Sequence, residues 1–120
     1  MNAPIPILRS FDEAKAKEFY LDFLGFELVF EHRFDPGAPL YFGVRLGDCR
    51  LHISEHFGDG TPGAFVRIPM PEADLRAYNA ELLAKKYRNA RPGLNEAPWG
   101  WDMPVADPFS NKLIFTTADA

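Results

Sequence analysis

The stretch Phe11–Phe30, FDEAKAKEFYLDFLGFELVF, holds two periodicities joined at a glycine, and the change between them sets the fold. Ala16, Phe19, Tyr20 and Phe23 recur at the i, i+3, i+4, i+7 spacing of one buried helix face, which predicts a helix over 12–24. Ser10 and Glu13 have the S-x-x-E spacing of a capping box, in which each side chain accepts a hydrogen bond from a backbone N–H that the helix start leaves unpaired. Gly25 is the stop, because the residue after a helix often takes a positive φ. From Phe26 the period falls to two. Phe26, Leu28 and Phe30 alternate with Glu27 and Glu31, with Val29 interrupting, and this predicts a strand with one buried face.

Upstream, Ile5-Pro6-Ile7-Leu8 reads as a short apolar strand that Pro6 confines to an edge or to its own first residues. Downstream, the turn-rich DPGAP (35–39) leads into LYFGVRL (40–46), and the Gly47-Asp48 pair turns that strand back into CRLHIS (49–54). The order is strand, helix, then three strands. The second half repeats it. After FGDGTPG (57–63), Ala64–Ile68 is a strand, and Pro71–Tyr87 is a helix with Leu75, Tyr78, Leu82 and the stem of Lys86 on one stripe. GLNEAPW (93–99), GWDMPVAD (100–107) and KLIFTT (112–117) supply the last strands, the final pair joined by the turn DPFSN (107–111). FDEA from Phe11 and MPEA from Met70 place Glu-Ala at matching offsets, half a chain apart. The expectation is one α+β domain over 1–120 built of two βαβββ modules, about 1–58 and about 59–120. Each would curl a small sheet with its helix outside, leaving the concave inner face for a ligand.

Composition narrows the function classes. The net charge of −4, with no basic run longer than Lys85-Lys86, gives no electrostatic footprint for nucleic acid and mildly favours a cationic ligand. A single cysteine, Cys49, permits no internal disulfide, and MNAPIPILRS has no basic stretch followed by a long apolar run, so a cytoplasmic address is the simplest. No run of about 18 apolar residues is present to span a membrane.

HISEH (52–56) matches H-x-x-E-H, a zinc-ligand pattern of one class of metallopeptidases. That pattern needs a helix, which would bring His52 and His56 one turn apart. Here Leu51 and Ile53 alternate with Arg50, His52 and Ser54, and Gly58 and Gly60 follow, so the segment reads as a strand ending in a loop. In a strand, residues four apart are separated by about 13 Å, whereas a zinc ligand nitrogen sits about 2 Å from the ion. The two histidines are therefore expected to line a cleft wall, with His52 as a candidate ligand contact.

Eleven Phe, four Tyr and two Trp exceed what so small a core needs, so some are expected on a binding surface. Trp99 and Trp101 flank Gly100; on a strand they would share one face and offer two flat rings for stacking. Phe30, Phe34 and Phe65 join them as candidates, and Glu31 and Asp35, beside two of these, could attract a cation. There is no G-x-S-x-G, P-loop or dinucleotide fingerprint, and Cys49 lies beside a tight turn with no evident base. Asp107 is read as a turn residue.

Together, Phe11–Phe30 and VADPFSNKLIF (105–115) resemble the first-module signature and last hairpin of the vicinal-oxygen-chelate superfamily, the glyoxalase/bleomycin-resistance/dioxygenase group, although Ser110 stands where the family usually has Gly. EAPWGW and RLHIS are most similar to the bleomycin-resistance members. The resemblance covers nearly the whole chain and implies paired βαβββ modules and a homodimer with ligand clefts between subunits. Enzymes of the superfamily chelate a divalent ion from the first strand of each module and from the last strand. Those positions fall near Ile5, at 64–66 and at Ile114, whose side chains cannot ligate such a cation. The resemblance thus implies a protein without metal or other cofactor that sequesters bleomycin-type drugs, cationic molecules with a planar aromatic part. Trp99 matches the Trp of the family's P-W-G segment, Phe30 the Phe after its L-G-F motif, and Phe65 an aromatic on the strand opening the second module; Phe34 is a looser match. An acidic rim would draw in the cationic tail. Two rival expectations stand beside this one: a lyase or dioxygenase with a displaced metal site using His52, His56 or Glu55, and a binding protein for another planar molecule.

Overall fold

The computed structural model describes residues Met1–Ala120 as two compact units. The first comprises Met1–Ala64 with Pro108–Asn111, the second Phe65–Asp107 with Lys112–Ala120. In chain order the elements are β1 (Ile7–Arg9), α1 (Glu13–Lys17, continued by a π-helical turn over Glu18–Phe23), β2 (Glu27–His32), β3 (Tyr41–Leu46), β4 (Cys49–Ser54), β5 (Phe65–Pro69), α2 (Glu72–Ala84), β6 (Asn95–Ala97), β7 (Gly100–Ala106) and β8 (Lys112–Thr116). This is the expected α+β repeat. Each unit has a four-stranded mixed sheet, ordered β1-β4-β3-β2 in the first and β5-β8-β7-β6 in the second. The outer strands β1 and β5 run parallel to β4 and β8, and every other pair is antiparallel. Equivalent backbone bonds close the two units: Ser10 N–H donates to Ser54 O and Met70 N–H to Thr116 O, both at 2.8 Å.

The predicted core of the first helix holds, but its hydrogen bonding differs. Ala16, Phe19, Tyr20 and Phe23 are all buried. Beyond Lys17 the turns widen, with Leu24 N–H reaching Phe19 O five residues back at 2.9 Å. Ser10 is not the cap. Its backbone is bound into the sheet through Ser54, and Asp12 instead accepts from Lys15 N–H at 2.9 Å. On α2, Leu75, Tyr78 and Leu82 are buried as expected, while Lys86 lies beyond the helix end, exposed and with φ 52°.

One face of each sheet packs on its helix. In the first unit Leu8, Phe42, Val44, Leu51 and Ile53 supply that face; in the second Met103, Val105, Leu113 and Phe115 do, with the Tyr78 and Phe115 rings edge to face at 5.2 Å. Alternation then assigns the opposite face, which has no helix, to the remaining strand residues.

Candidate functional site

On the open face of the first sheet, His52 lies opposite Gly43 on β3, and Gly43 lies opposite Phe30 on β2. Phe30 reaches this face through a bulge. Leu28 pairs with Val44 but Phe30 with Gly43, so Val29 is the extra residue that shifts the alternation by one step. The expectation that Phe26, Leu28 and Phe30 share a face fails at Phe30 for this reason. The Phe30 ring lies over Gly43, where any Cβ would run into it, and stands edge to face with His52 at 5.2 Å. Tyr41 closes the cluster, stacked on Phe30 at 6.1 Å, its hydroxyl 2.6 Å from His52 Nδ1.

Burial, with the Arg50 charge behind it, holds the His52 pKa below the ordinary imidazole value, and burial reinforced by Asp59 holds the Tyr41 phenol above its own. The phenol is therefore protonated and the imidazole neutral at pH 7, and the His52 tautomer sets which of the two donates in this bond. His52 Nε2 is buried without a hydrogen-bond partner. Phe34 is held elsewhere, edge to face between His32 at 4.6 Å and His56 at 5.2 Å, and is 68% exposed. His52 and His56 thus engage different aromatic groups, and HISEH forms the end of β4 and its exit, as its period indicated.

In the second unit the open face carries Phe65 and Arg67 from β5, Asp102 from β7 and Lys112 and Ile114 from β8. Trp99 sits in the β6–β7 turn and is 54% exposed. Its Nε1–H donates to Asp102 Oδ1 at 3.0 Å, and the Arg67 guanidinium lies 5.1 Å from its ring centre while binding both Asp102 oxygens at 3.2 and 3.1 Å. Burial pushes the Asp102 carboxyl up. Hydrogen bonds from Thr116, Trp99 and Arg67 and the Arg67 charge outweigh it and hold the pKa below the usual Asp value. A carboxylate and a guanidinium therefore fix the indole from two directions while part of its surface stays open.

Trp101 is not on that face. It occupies the position on β7 next to Asp102, pointing to the helix side, with Arg76 of α2 4.7 Å from its ring centre. The expected sharing of a face with Trp99 fails because Trp99 precedes the strand, in a turn where Gly100 adopts φ 137° and the alternation has not begun. Phe65 is 68% exposed beneath Lys112, whose Nζ lies 5.3 Å from the ring centre.

The acidic rim expected from composition is not built. Glu31 lies opposite Phe42 on the helix side and pairs with Lys17, and Asp35 accepts the turn bond from Ala38 N–H. Burial raises the Cys49 thiol pKa, the wrong direction for a nucleophile. The open-face residues on the strands implied as metal-bearing are Ile7 and Arg9 on β1, Phe65 and Arg67 on β5 and Lys112, Ile114 and Thr116 on β8. Its one oxygen donor, the Thr116 hydroxyl, accepts from Ala118 N–H, and no carboxylate, imidazole or thiolate accompanies it, so the set does not fit a divalent ion. No group of three His, Cys, Asp or Glu side chains elsewhere is placed to hold one. Sequence reasoning missed Tyr41, Arg67 and Asp102; the two-residue period put Tyr41 opposite the buried Phe42 and Arg67 in phase with Phe65, which was the available signal.

Comparison with known proteins places this geometry in a family. The description "Glyoxalase superfamily protein" belongs to a family model that matches residues 1–119. The chain belongs to the glyoxalase superfamily. A bleomycin-binding protein from bleomycin-producing Streptomyces verticillus, solved with copper(II)-bleomycin, is 30% identical, with TM-score 0.66 over 99% of this chain and 97% of that one. A glyoxalase/bleomycin resistance protein from Streptomyces sp. CB03234 is 26% identical, with TM-score 0.71 over 97% and 99%. The fold is shared with an enzyme too: lactoylglutathione lyase from Agrobacterium tumefaciens, 17% identical, has TM-score 0.69 over 96% and 92%. No curated protein matches the sequence significantly. No helix is long and apolar enough to cross a membrane.

Proposed function

We propose that this protein binds and sequesters a planar aromatic small molecule without catalysing its conversion, as an antibiotic-binding member of the glyoxalase superfamily. The observation that carries this reading is the Trp99 indole, exposed yet fixed by Asp102 and Arg67. A ring presented in one orientation loses little entropy on stacking, and a stacked ring contributes about 1–3 kcal/mol. Each unit offers contacts of its own within this reading: Phe65 besides Trp99 in the second, and in the first the Phe30–Tyr41–His52 cluster with Phe34 at the exit of the sheet. A homodimer belongs to the same proposal, and sedimentation at micromolar protein tests it.

Copper(II)-bleomycin, which a relative binds, is the first ligand to try, by calorimetry and thermal shift. Heat and stabilisation would assign the drug, and Trp99→Ala should then weaken its binding by about 1–3 kcal/mol. No heat and no stabilisation at near-millimolar drug removes the bleomycin assignment. The enzymatic alternative, a lyase or dioxygenase with a metal displaced to His52, His56 or Glu55, has against it the separate contacts of the two histidines. A stoichiometric divalent ion in untagged protein would reinstate it.

A further inference from the structure

Resting on the planar-ligand reading, we infer that the ligand carries a negative group, a carboxylate, sulfonate or phosphate on its ring system, met by the Arg45–Arg50 pair at the turn end of β3 and β4. The two arginines lie directly opposite each other across the strands. Like charges in that position destabilise a sheet, and neither is needed for packing, since both are exposed. Arg45 has one long ion pair, 3.3 Å to the exposed Glu27, and Arg50 has none. Both share the open face with Gly43 and His52, two residues further along each strand. That spacing is about 7 Å, the length of a fused two-ring system. The Arg50 charge is felt at the cluster, where it adds to burial in lowering the His52 pKa.

The charge on the rest of both open faces points the same way. On the first, Arg9, Arg45 and Arg50 face Glu27, which pairs with Arg45, and Asp59, which accepts from Ser54 Oγ at 3.0 Å. On the second, Arg67 and Lys112 face Asp102 alone, already hydrogen-bonded by Trp99 and ion-paired with Arg67. Aromatic faces that could attract a cation already have one: Arg67 over Trp99 and Lys112 over Phe65. On the second face a cationic ligand would have to displace these groups, and on the first the only carboxylate without a cationic partner is Asp59, at the Ser54 end of β4 away from the arginine pair. The net −4 of the chain misleads on this point because acids such as Glu13, Glu72, Asp74 and Glu81 lie on the helices. A positively charged drug of the bleomycin type therefore ranks below a planar anion.

The test is a calorimetric titration of the whole protein with three probes sharing one ring: anthraquinone-2-sulfonate, 2-(hydroxymethyl)anthraquinone and 2-(aminomethyl)anthraquinone. The sulfonate is expected to bind at least about five-fold more tightly than the ammonium probe at low salt, a gap that shrinks at about 0.5 M salt. Arg50→Ala, and separately Arg45→Ala, should remove most of that gap and leave the neutral probe unchanged, with melting curves confirming folded protein. Equal binding of the charged probes, or preference for the ammonium, overturns the inference and leaves the planar-ligand reading standing. A sulfonate preference that survives both arginine substitutions overturns the assignment to this pair. Failure of all three probes to bind overturns the planar-ligand reading and the inference with it.

Discussion

The two units share strand order, helix placement and closing hydrogen bond, yet they bring an aromatic ring to the open face by different breaks in the strand period. In the first, the bulge at Val29 turns Phe30 away from the helix side and lays it over Gly43, among side chains of the sheet itself. In the second, Trp99 stands outside the sheet in a turn and depends on polar groups, Asp102 and Arg67, for its orientation. One ring is placed by packing, the other by charge and hydrogen bonds. Regular alternation makes a sheet that buries one face and places Tyr41, His52 and Phe65 on the other; Phe30 and Trp99 reach it where that alternation is interrupted.

The strongest way to break the second arrangement is Gly100→Ala. The residue sits at φ 137°, a region closed to side chains, and a Cβ there would collide with Thr117 Oγ1, the acceptor for Trp101 N–H. A destabilisation of about 3 kcal/mol is expected in urea unfolding. In the first unit, Gly43→Ala should cost about 1–2 kcal/mol by displacing the Phe30 ring, and adding Phe30→Ala should recover part of it if the collision is the cause. Additive losses from the two changes would show that the ring is not held there.

Asp102→Asn should cost about 1–2 kcal/mol by weakening its bonds to Arg67, Trp99 and Thr116, and should shift Trp99 fluorescence. It also carries a pH signature. Because the folded pKa is lowered, the carboxylate contributes stability above the unfolded value near 3.8, and this is lost as pH falls through the folded value. The Asn variant should lack that acid loss. His52 behaves alike at higher pH. Its lowered folded pKa means that stability is fully present above the unfolded value near 6.5 and declines as pH falls toward the folded value, a decline that His52→Gln should reduce. The smallest expected effect is favourable: Ser110→Gly relieves a φ of 71° at a non-glycine residue and should stabilise by up to about 1 kcal/mol, a few degrees in Tm.

Much of this was legible along the chain. Period 3.6 followed by period 2, with turn residues between, gave both repeats and placed HISEH on a strand, because local spacing decides which side chains can share a face. Phe30, His52, Trp99 and Phe65 were singled out in advance, and all lie on or beside an open face; their role in binding rests on the experiments above. The sequence did not reveal the Val29 bulge, because an extra residue is defined only against the partner strand. Nor did it show that Trp99 and Trp101 part company, since that depends on where β7 begins.

By itself, then, the sequence determined the elements, their order and the buried stripes, all properties of spacing and side-chain chemistry read locally. Tertiary structure alone decided which aromatic faces stay open, which cations stand beside them, and which acids, Glu27, Asp59 and Asp102, share those faces while others such as Glu72, Asp74 and Glu81 lie on a helix. Net charge is a sum over the chain, whereas a ligand meets only the groups that pairing between distant strands brings to one side of a sheet.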